Sequence, residues 1–426
     1  MGKYDRQAQS QRKHGPILSS SASKAPIRPP PNGEWRGTGL TKKRTRQHLD
    51  TPKDVPLIQD QKLPIELQQL LLNIFRDSFL AAWADLEELK LVLHEINVAL
   101  GERDFERAFE GKERTEGYAL RWSPSRCLAY ANVMAWLCEN RPDDDWTRRI
   151  LNASSTQSQG NNAKVICFGG GPAEVMAFVG LVRYLRSDAA AGKPQSELDT
   201  TTISLPPHGS TTTTSMLDLR LVDSADWSAV INKLETGFTT PPPLSKYASA
   251  SARATNSALL SPQSLAISFQ QADVFGLGTE QLQNMVGSEA VFVTLFLTLN
   301  DLYNTSIPKT TAFLRKLDAV LAKESVLLIL DSIGAAAEKT IVMAHDGEAE
   351  ETQSYPMDWL LDRVLLGKAG KEVTSKKSAE EDKEKAVVRW EKVVKEDMRQ
   401  HKLDEKLRYP GSLENVRFQL HVFRRI

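Results

Sequence analysis

The amino-acid sequence predicts an α/β protein, built on a doubly wound sheet of mostly parallel strands, with a helical region and a basic disordered arm ahead of it. Three observations predict it. From about Lys164 onward, apolar β-type runs alternate with helical patterns. Several of those runs are apolar at nearly every position, as strands covered on both faces must be. The first run leads through a glycine turn directly into an apolar helical stretch, the strand–turn–helix order on which such domains are built.

Taken in order, residues 1–62 read as the arm. They are rich in Ser, Pro, Gln and Lys and lack apolar periodicity. The whole chain is balanced at 54 basic and 54 acidic residues, so overall charge excludes nothing, but residues 1–50 hold eleven Lys or Arg against three Asp or Glu. That segment is drawn to polyanions. Its run Lys42-Lys43-Arg44-Thr45-Arg46 suits a nuclear localisation signal or a phosphate contact equally.

Residues 63–150 read as the helical region. Ile65, Leu67, Leu70, Leu71, Ile74, Phe75, Phe79 and Leu86 fall at helical spacing, and Leu89, Val92, Leu93 and Ile96 continue it. A second amphipathic stretch runs from about Ser125 to Glu139, with Ser123-Pro124 as its capping start. Trp122, Tyr130 and Trp136 in this region read as core.

Residues 160–426 read as the α/β domain. Its strands are expected at Lys164–Phe168, Leu217–Val222, Leu265–Phe269, Ala290–Leu297 and Ser325–Leu330. Low-complexity insertions interrupt it at about 187–215, 239–261 and 367–385, the last passing into a solvated helix near Val387 to Met398. Cys127, Cys138 and Cys167 have no spacing suited to zinc or a redox pair, so they read as small apolar residues in a reducing compartment and no metal is expected. The longest apolar run, Ala290 to Leu299, is about half of a membrane span, and Met1 to Ser20 lacks the apolar core of a signal peptide. A soluble intracellular protein without membrane contact is the expectation.

The chemistry concentrates at Val165-Ile-Cys-Phe-Gly-Gly-Gly-Pro-Ala-Glu-Val-Met-Ala-Phe178. Gly169, Gly170 and Gly171 allow a tight turn and close approach of a ligand to bare backbone. Where a dinucleotide fingerprint needs its third glycine stands Glu174, a carboxylate in the first turn of the helix. It repels a pyrophosphate, but not a cofactor with a cationic sulfonium and an amino-acid tail. It also complements the helix dipole, and the two uses are compatible. Asp223, just past the second strand, is placed to accept from ribose hydroxyls. It lies about fifty residues beyond the turn because of the Ser/Thr-rich insertion. Trp227 is a candidate wall for adenine, and Asp273, past the third strand, a candidate acceptor from its exocyclic amine. After the fourth strand, Asn300, Asp301 and Tyr303 are the candidate reacting groups: Asp301 as base, Asn300 as orienter. A helix cap uses the same residue types there.

The blocks Arg121-Trp-Ser-Pro-Ser-Arg-Cys-Leu-Ala-Tyr130, Cys167-Phe-Gly-Gly-Gly-Pro-Ala-Glu-Val-Met-Ala177 and Val222-Asp-Ser-Ala-Asp-Trp227 carry a family resemblance. It extends through Thr294–Tyr303, Leu330–Gly334, Tyr355–Leu361 and Leu413–Arg425. With these blocks the chain resembles, from about Leu63 to its end, the fungal 25S rRNA (uridine-N3)-methyltransferase family. The resemblance implies a Rossmann-like class I fold, S-adenosyl-L-methionine as cofactor, a uridine of large-subunit ribosomal RNA as acceptor, ribosomal RNA or a pre-ribosomal particle as partner, and the nucleus or nucleolus as location, with the cytoplasm as the alternative. Ala335-Ala336-Ala337 departs from the polar residues expected after Gly334 and leaves the role of that loop open. Arg126 and Tyr130 read as structural, with the acceptor side of a pocket as the alternative. Methylation of protein or a small molecule, and a non-catalytic assembly factor that keeps the fold, are the competing readings.

Overall fold

The computed structural model describes residues 61–153, 163–191, 217–334, 336–342, 350–367 and 389–426. The expected arm, with its Lys42–Arg46 run, and most of the insertions at 187–215 and 367–385 lie outside these residues. The helical region forms α1 (Ile65–Ser78), α2 (Leu80–Ala84), α3 (Leu86–Gly101), α4 (Phe105–Ala108), α5 (Gly111–Arg121), α6 (Ser123–Asn140) and α7 (Asp145–Ala153). There follow β1 (Ala163–Phe168), α8 (Pro172–Ala191), β2 (Leu217–Asp223), α9 (Ser228–Thr239), α10 (Ala250–Thr255), β3 (Leu265–Gln271), α11 (Thr279–Val286) and β4 (Phe292–Phe296). The chain continues with α12 (Leu299–Thr305), α13 (Ile307–Val320), β5 (Val326–Asp331), β6 (Ala336–Val342), β7 (Glu350–Pro356), α14 (Met357–Leu365), β8 (Trp390–His401) and β9 (Val416–Arg425).

The main sheet has the order β3-β2-β1-β4-β5-β9-β8, while β6 and β7 pair separately. Strands β1 to β5 are parallel, and β9 runs antiparallel to β5. This is a doubly wound Rossmann-like sheet whose order reverses between β1 and β4, so a crevice opens at their C-terminal ends. The expected continuous apolar runs follow from burial on both sides. In β1, Val165 and Cys167 join the core on one face with α1, α6, α8 and α9, whereas Ile166 and Phe168 join the other with α11 to α14. The same alternation places Phe292 and Phe296 on the first side and Val293 and Leu295 on the second.

Two expectations are corrected. The solvated helix near Val387 to Met398 is instead the edge strand β8, paired antiparallel with β9. Register shifts between Lys392 and Val394 and between Glu396 and Arg399 break its period of two, which hides a strand from any pattern search. Its charges are those of a protected edge: Lys395 pairs with Asp358 at 2.9 Å and Glu391 with Arg424 at 2.8 Å. Secondly, α6 is not amphipathic. It is buried on nearly every side from Ser123 to Cys138 because α8, α1 and α5 all pack on it. Its N-cap is Trp122 with no capping side chain, and Ser123 is the first helical residue instead of the cap. Among the described residues, no helix is long and apolar enough to cross a membrane.

Candidate functional site

The turn between β1 and α8 is set by three glycines used in three ways. Gly169 has φ +71°, and a Cβ there would stand 2.1 Å from Thr298 Oγ1 and 2.8 Å from Thr298 Cβ, so only glycine lets the β4–α12 connection approach. Its N–H donates to the Val222 carbonyl at 2.8 Å, tying the ends of β1 and β2 together. Gly170 turns inward, where a Cβ would meet Cys167 Cβ at 2.5 Å. Gly171 lies over the Trp227 indole, 3.3 Å from where its Cβ would be.

Glu174 reaches back across the first turn of α8, its Oε2 accepting from the Gly171 N–H at 2.8 Å, as the third helical residue of a capping box does. Only 5% of it is exposed. Burial pushes its carboxyl up to about 7, against the opposing pull of the Gly171 N–H and the Arg126 guanidinium. Asp223 closes β2, accepts from the Ala225 N–H at 2.7 Å, and is raised by burial to about 6. Trp227 is buried, with ring centroids 5.1 Å from Phe109 and 5.5 Å from Tyr118, so the helical region supplies an aromatic wall opposite the sheet. Asp273 is exposed and holds the Phe275 N–H at 2.9 Å.

Beyond β4, Leu297 adopts φ +51° as the chain turns into α12. Asp331 at the end of β5, 1% exposed and raised to about 6 by burial, accepts from the Asn300 N–H at 2.9 Å and the Ser332 N–H at 2.7 Å. It therefore supplies the side-chain cap that Thr298 does not. With α12 anchored, Asp301 faces the crevice. Burial raises its carboxyl above the ordinary aspartate value, while Arg103 and Arg126 draw it back.

These elements enclose a cavity of about 440 Å³ at the switch point, within the ~300–1,000 Å³ of small-molecule sites. Gly169, Gly171, Glu174, Asp223, Trp227, Asp273 and Asp301 line it. Gly170, Asn300 and Tyr303 do not. Asn300 donates its N–H to Asp331, and its side-chain oxygen accepts from Asn304 Nδ2 at 3.0 Å. Tyr303 is 1% exposed in the core on the far face, its hydroxyl without a hydrogen-bond partner. Two residues are a turn of about 200° around a helix, so Asp301 and Tyr303 must point to opposite sides, whereas Thr305, four residues on, shares the cavity with Asp301.

In the helical region the sequence favours a structural role for Arg126 and Tyr130, with the pocket as the alternative, and points to no other residue there; both line the cavity, and Phe109, Tyr118 and Ser123 complete it. One signal was available. Arg126 is the sole charge in α6 before Glu139, and a lone guanidinium in a helix buried all round needs a use. A second cavity of about 430 Å³ lies between α6 and β8, lined by Asn132, Arg399, His401 and Lys406, and contains none of the residues singled out from sequence. Among the described residues, no three His, Cys, Asp or Glu side chains gather as metal ligands.

The sequence pattern of a family of SAM-dependent methyltransferases matches residues 75–424. The chain is 26% identical over 317 residues to the 25S rRNA (uridine(2843)-N(3))-methyltransferase of Saccharomyces cerevisiae, covering 74% of this chain and 72% of that protein. Among solved structures it is similar to an S-adenosylmethionine-dependent methyltransferase from Clostridium acetobutylicum, at 8% identity and TM-score 0.25, over 68% of this chain and 96% of the other. It is also similar to an O-methyltransferase family protein from Burkholderia thailandensis, at 12% identity and TM-score 0.24, over 57% of this chain and about half (52%) of that one.

Proposed function

The chain belongs to the family of SAM-dependent methyltransferases, and from that premise we propose that it methylates N3 of a uridine in large-subunit ribosomal RNA, with the cavity between β1 and β4 as its active site. The observation that carries the reading is the convergence on that cavity of a glycine-lined turn, two carboxylates past successive strands, and a further, half-buried carboxylate, Asp301, on the β4 side. The acceptor is taken from the yeast relative, whose name specifies a uridine N3.

The residues present suit the cofactor. Asp223 accepts from the ribose hydroxyls, Asp273 accepts from the adenine amine, and Trp227 with Phe109 supplies apolar contact. Gly169 and Gly171 give their Cβ-less sides to Thr298 and Trp227, which fixes the turn as a wall of the cavity. Bound S-adenosylmethionine supplies a methyl group on a sulfonium, already activated for displacement. The protein's part is alignment and one proton. N3 of uridine is on the pairing edge, so the target base must be unpaired or turned out of its helix to enter. Asp301 would take the N3 proton, leaving the N3 electron pair free to accept the methyl group that the bound cofactor would supply. A carboxyl raised by burial is the stronger base for that step. The same reading makes ribosomal RNA or a pre-ribosomal particle the partner and the nucleus or nucleolus the place of action.

The test is methyl transfer from labelled S-adenosylmethionine to ribosomal RNA purified from cells lacking the gene, with nucleosides separated by mass spectrometry. N3-methyluridine formed by the wild-type chain and lost in Asp223→Ala supports the reading. Label confined to protein, or to another nucleoside, refutes it.

A further inference from the structure

Arg126 and Glu174 are opposite charges that face one cavity without touching. Arg126 comes from the second turn of α6 and Glu174 from the first turn of α8, two helices that pack along each other. No ion pair within 4 Å joins them: the Arg126 guanidinium bonds Tyr118 Oη and lies 5.4 Å from that ring's centroid, while Glu174 holds the Gly171 N–H. Charges taken out of water and left apart are costly unless something is to come between them. Ser123 adds an independent sign. Three residues before Arg126, and so on the same side of α6, it is fully buried, lines the same cavity, and its Oγ has no hydrogen-bond partner.

A hydroxyl donor and a guanidinium on one wall, with a carboxylate on the other, match a group that carries a carboxylate and an ammonium on a single carbon. We propose that Ser123 and Arg126 bind the α-carboxylate, and Glu174 the α-ammonium, of the cofactor's amino-acid end, so that the enzyme accepts only a donor whose amino-acid terminus is intact. The assignment rests on the cavity being the cofactor site, and is independent of which acceptor is methylated.

Calorimetric titration with S-adenosylmethionine, S-adenosylhomocysteine and decarboxylated S-adenosylmethionine tests it. The wild-type protein binds the first two about 10- to 100-fold more tightly than the third, the range expected for hydrogen bonds to a charged group. Arg126→Gln loses that factor for S-adenosylmethionine and leaves the decarboxylated compound unchanged; Ser123→Ala, a minimal change that keeps the fold, loses a smaller part in the same pattern. Glu174→Gln weakens all three alike, because each keeps the amine. Equal wild-type affinity for the decarboxylated compound overturns the assignment. So does an Arg126→Gln protein that binds S-adenosylmethionine normally but methylates RNA poorly, which would put Arg126 on the acceptor. If the wild-type protein binds none of the three, the cofactor reading of the cavity falls first and this assignment with it.

Discussion

Gly169→Ala is the substitution whose consequence the geometry specifies most closely. At φ +71° an alanine is in the left-handed region, which costs a residue with a Cβ about 1–2 kcal/mol. The new Cβ also falls 2.1 Å from Thr298 Oγ1, 2.5 Å from Thr298 Cγ2 and 2.8 Å from Thr298 Cβ. Rotating the threonine relieves the first two contacts only by breaking its Oγ1 hydrogen bond to the Phe296 carbonyl, and it leaves the third, so the start of α12 must move. Overpacking of this kind costs ~1–3 kcal/mol, and the stiffer unfolded chain returns about 0.4–1 kcal/mol. The net expectation is a loss of about 1–5 kcal/mol, a large part of the ~5–15 kcal/mol that holds a protein folded. Urea unfolding followed by circular dichroism measures it as a lower midpoint at unchanged slope. Adding Thr298→Ala removes the Oγ1 and Cγ2 overlaps and leaves the Cβ contact, so the double variant recovers part of the loss, with a coupling of about 1–2 kcal/mol. A Gly169→Ala midpoint equal to wild type, or no recovery in the double variant, would refute the close approach of the two loops on which the cavity depends.

Further outcomes follow from the same geometry. Asp301→Asn lowers the methyl-transfer rate about 10²- to 10⁴-fold while leaving calorimetric cofactor affinity intact; because the wild-type carboxyl is raised and must be ionised to act, wild-type rate falls as pH drops through a value above the usual aspartate range, and a rate independent of pH there would exclude Asp301 as base. Tyr303→Phe removes a buried hydroxyl that bonds to nothing, so stability is unchanged or higher by about 1 kcal/mol and turnover is unaffected; a tenfold loss of turnover would return Tyr303 to the site. In the cofactor-free protein, burial raises Glu174 to about 7 and Asp223 and Asp331 to about 6. At these three carboxyls the folded state therefore holds protons that the unfolded chain has released, and their contribution to stability, full below pH ~4, declines as pH rises toward 7, while His401 and His421, each lowered to about 4 by burial, contribute in the opposite direction. The wild-type urea midpoint should therefore lose ground to that of Glu174→Gln as pH rises from 4 to 7, because the variant removes one raised carboxyl and leaves the other groups to titrate; a gap between the two that stays constant across that range contradicts the linkage.

How much of this was legible in the sequence depends on the range of the interactions involved. The five parallel strands could be read from residues 164–330 because each is buried on both faces, and that burial writes an apolar run into the strand itself. The glycine turn and Glu174 were legible for a related reason: positive φ, close backbone approach and a helix N-terminus are all demands on consecutive residues. Asp223 and Asp273 could be placed because a parallel strand must end at one edge of the sheet, whatever lies beyond it. Strand β8 was not legible. Its two bulges erase the local period, and what keeps it extended is a partner, β9, that lies elsewhere in the chain.

The site divides along the same line. By itself the sequence determined the five strands that prove parallel and the carboxylates that follow them, since each follows from repeats within about ten residues or from the order of elements. Only the tertiary structure decided which of Asn300, Asp301 and Tyr303 faces the crevice, because Asp331, thirty-one residues from Asn300 along the chain, pins the phase of α12. It likewise decided that Tyr118, Ser123 and Arg126 form the opposite wall. Their presence there depends on how α5 and α6 pack across the sheet, and long-range packing leaves no period in the residues that it brings together.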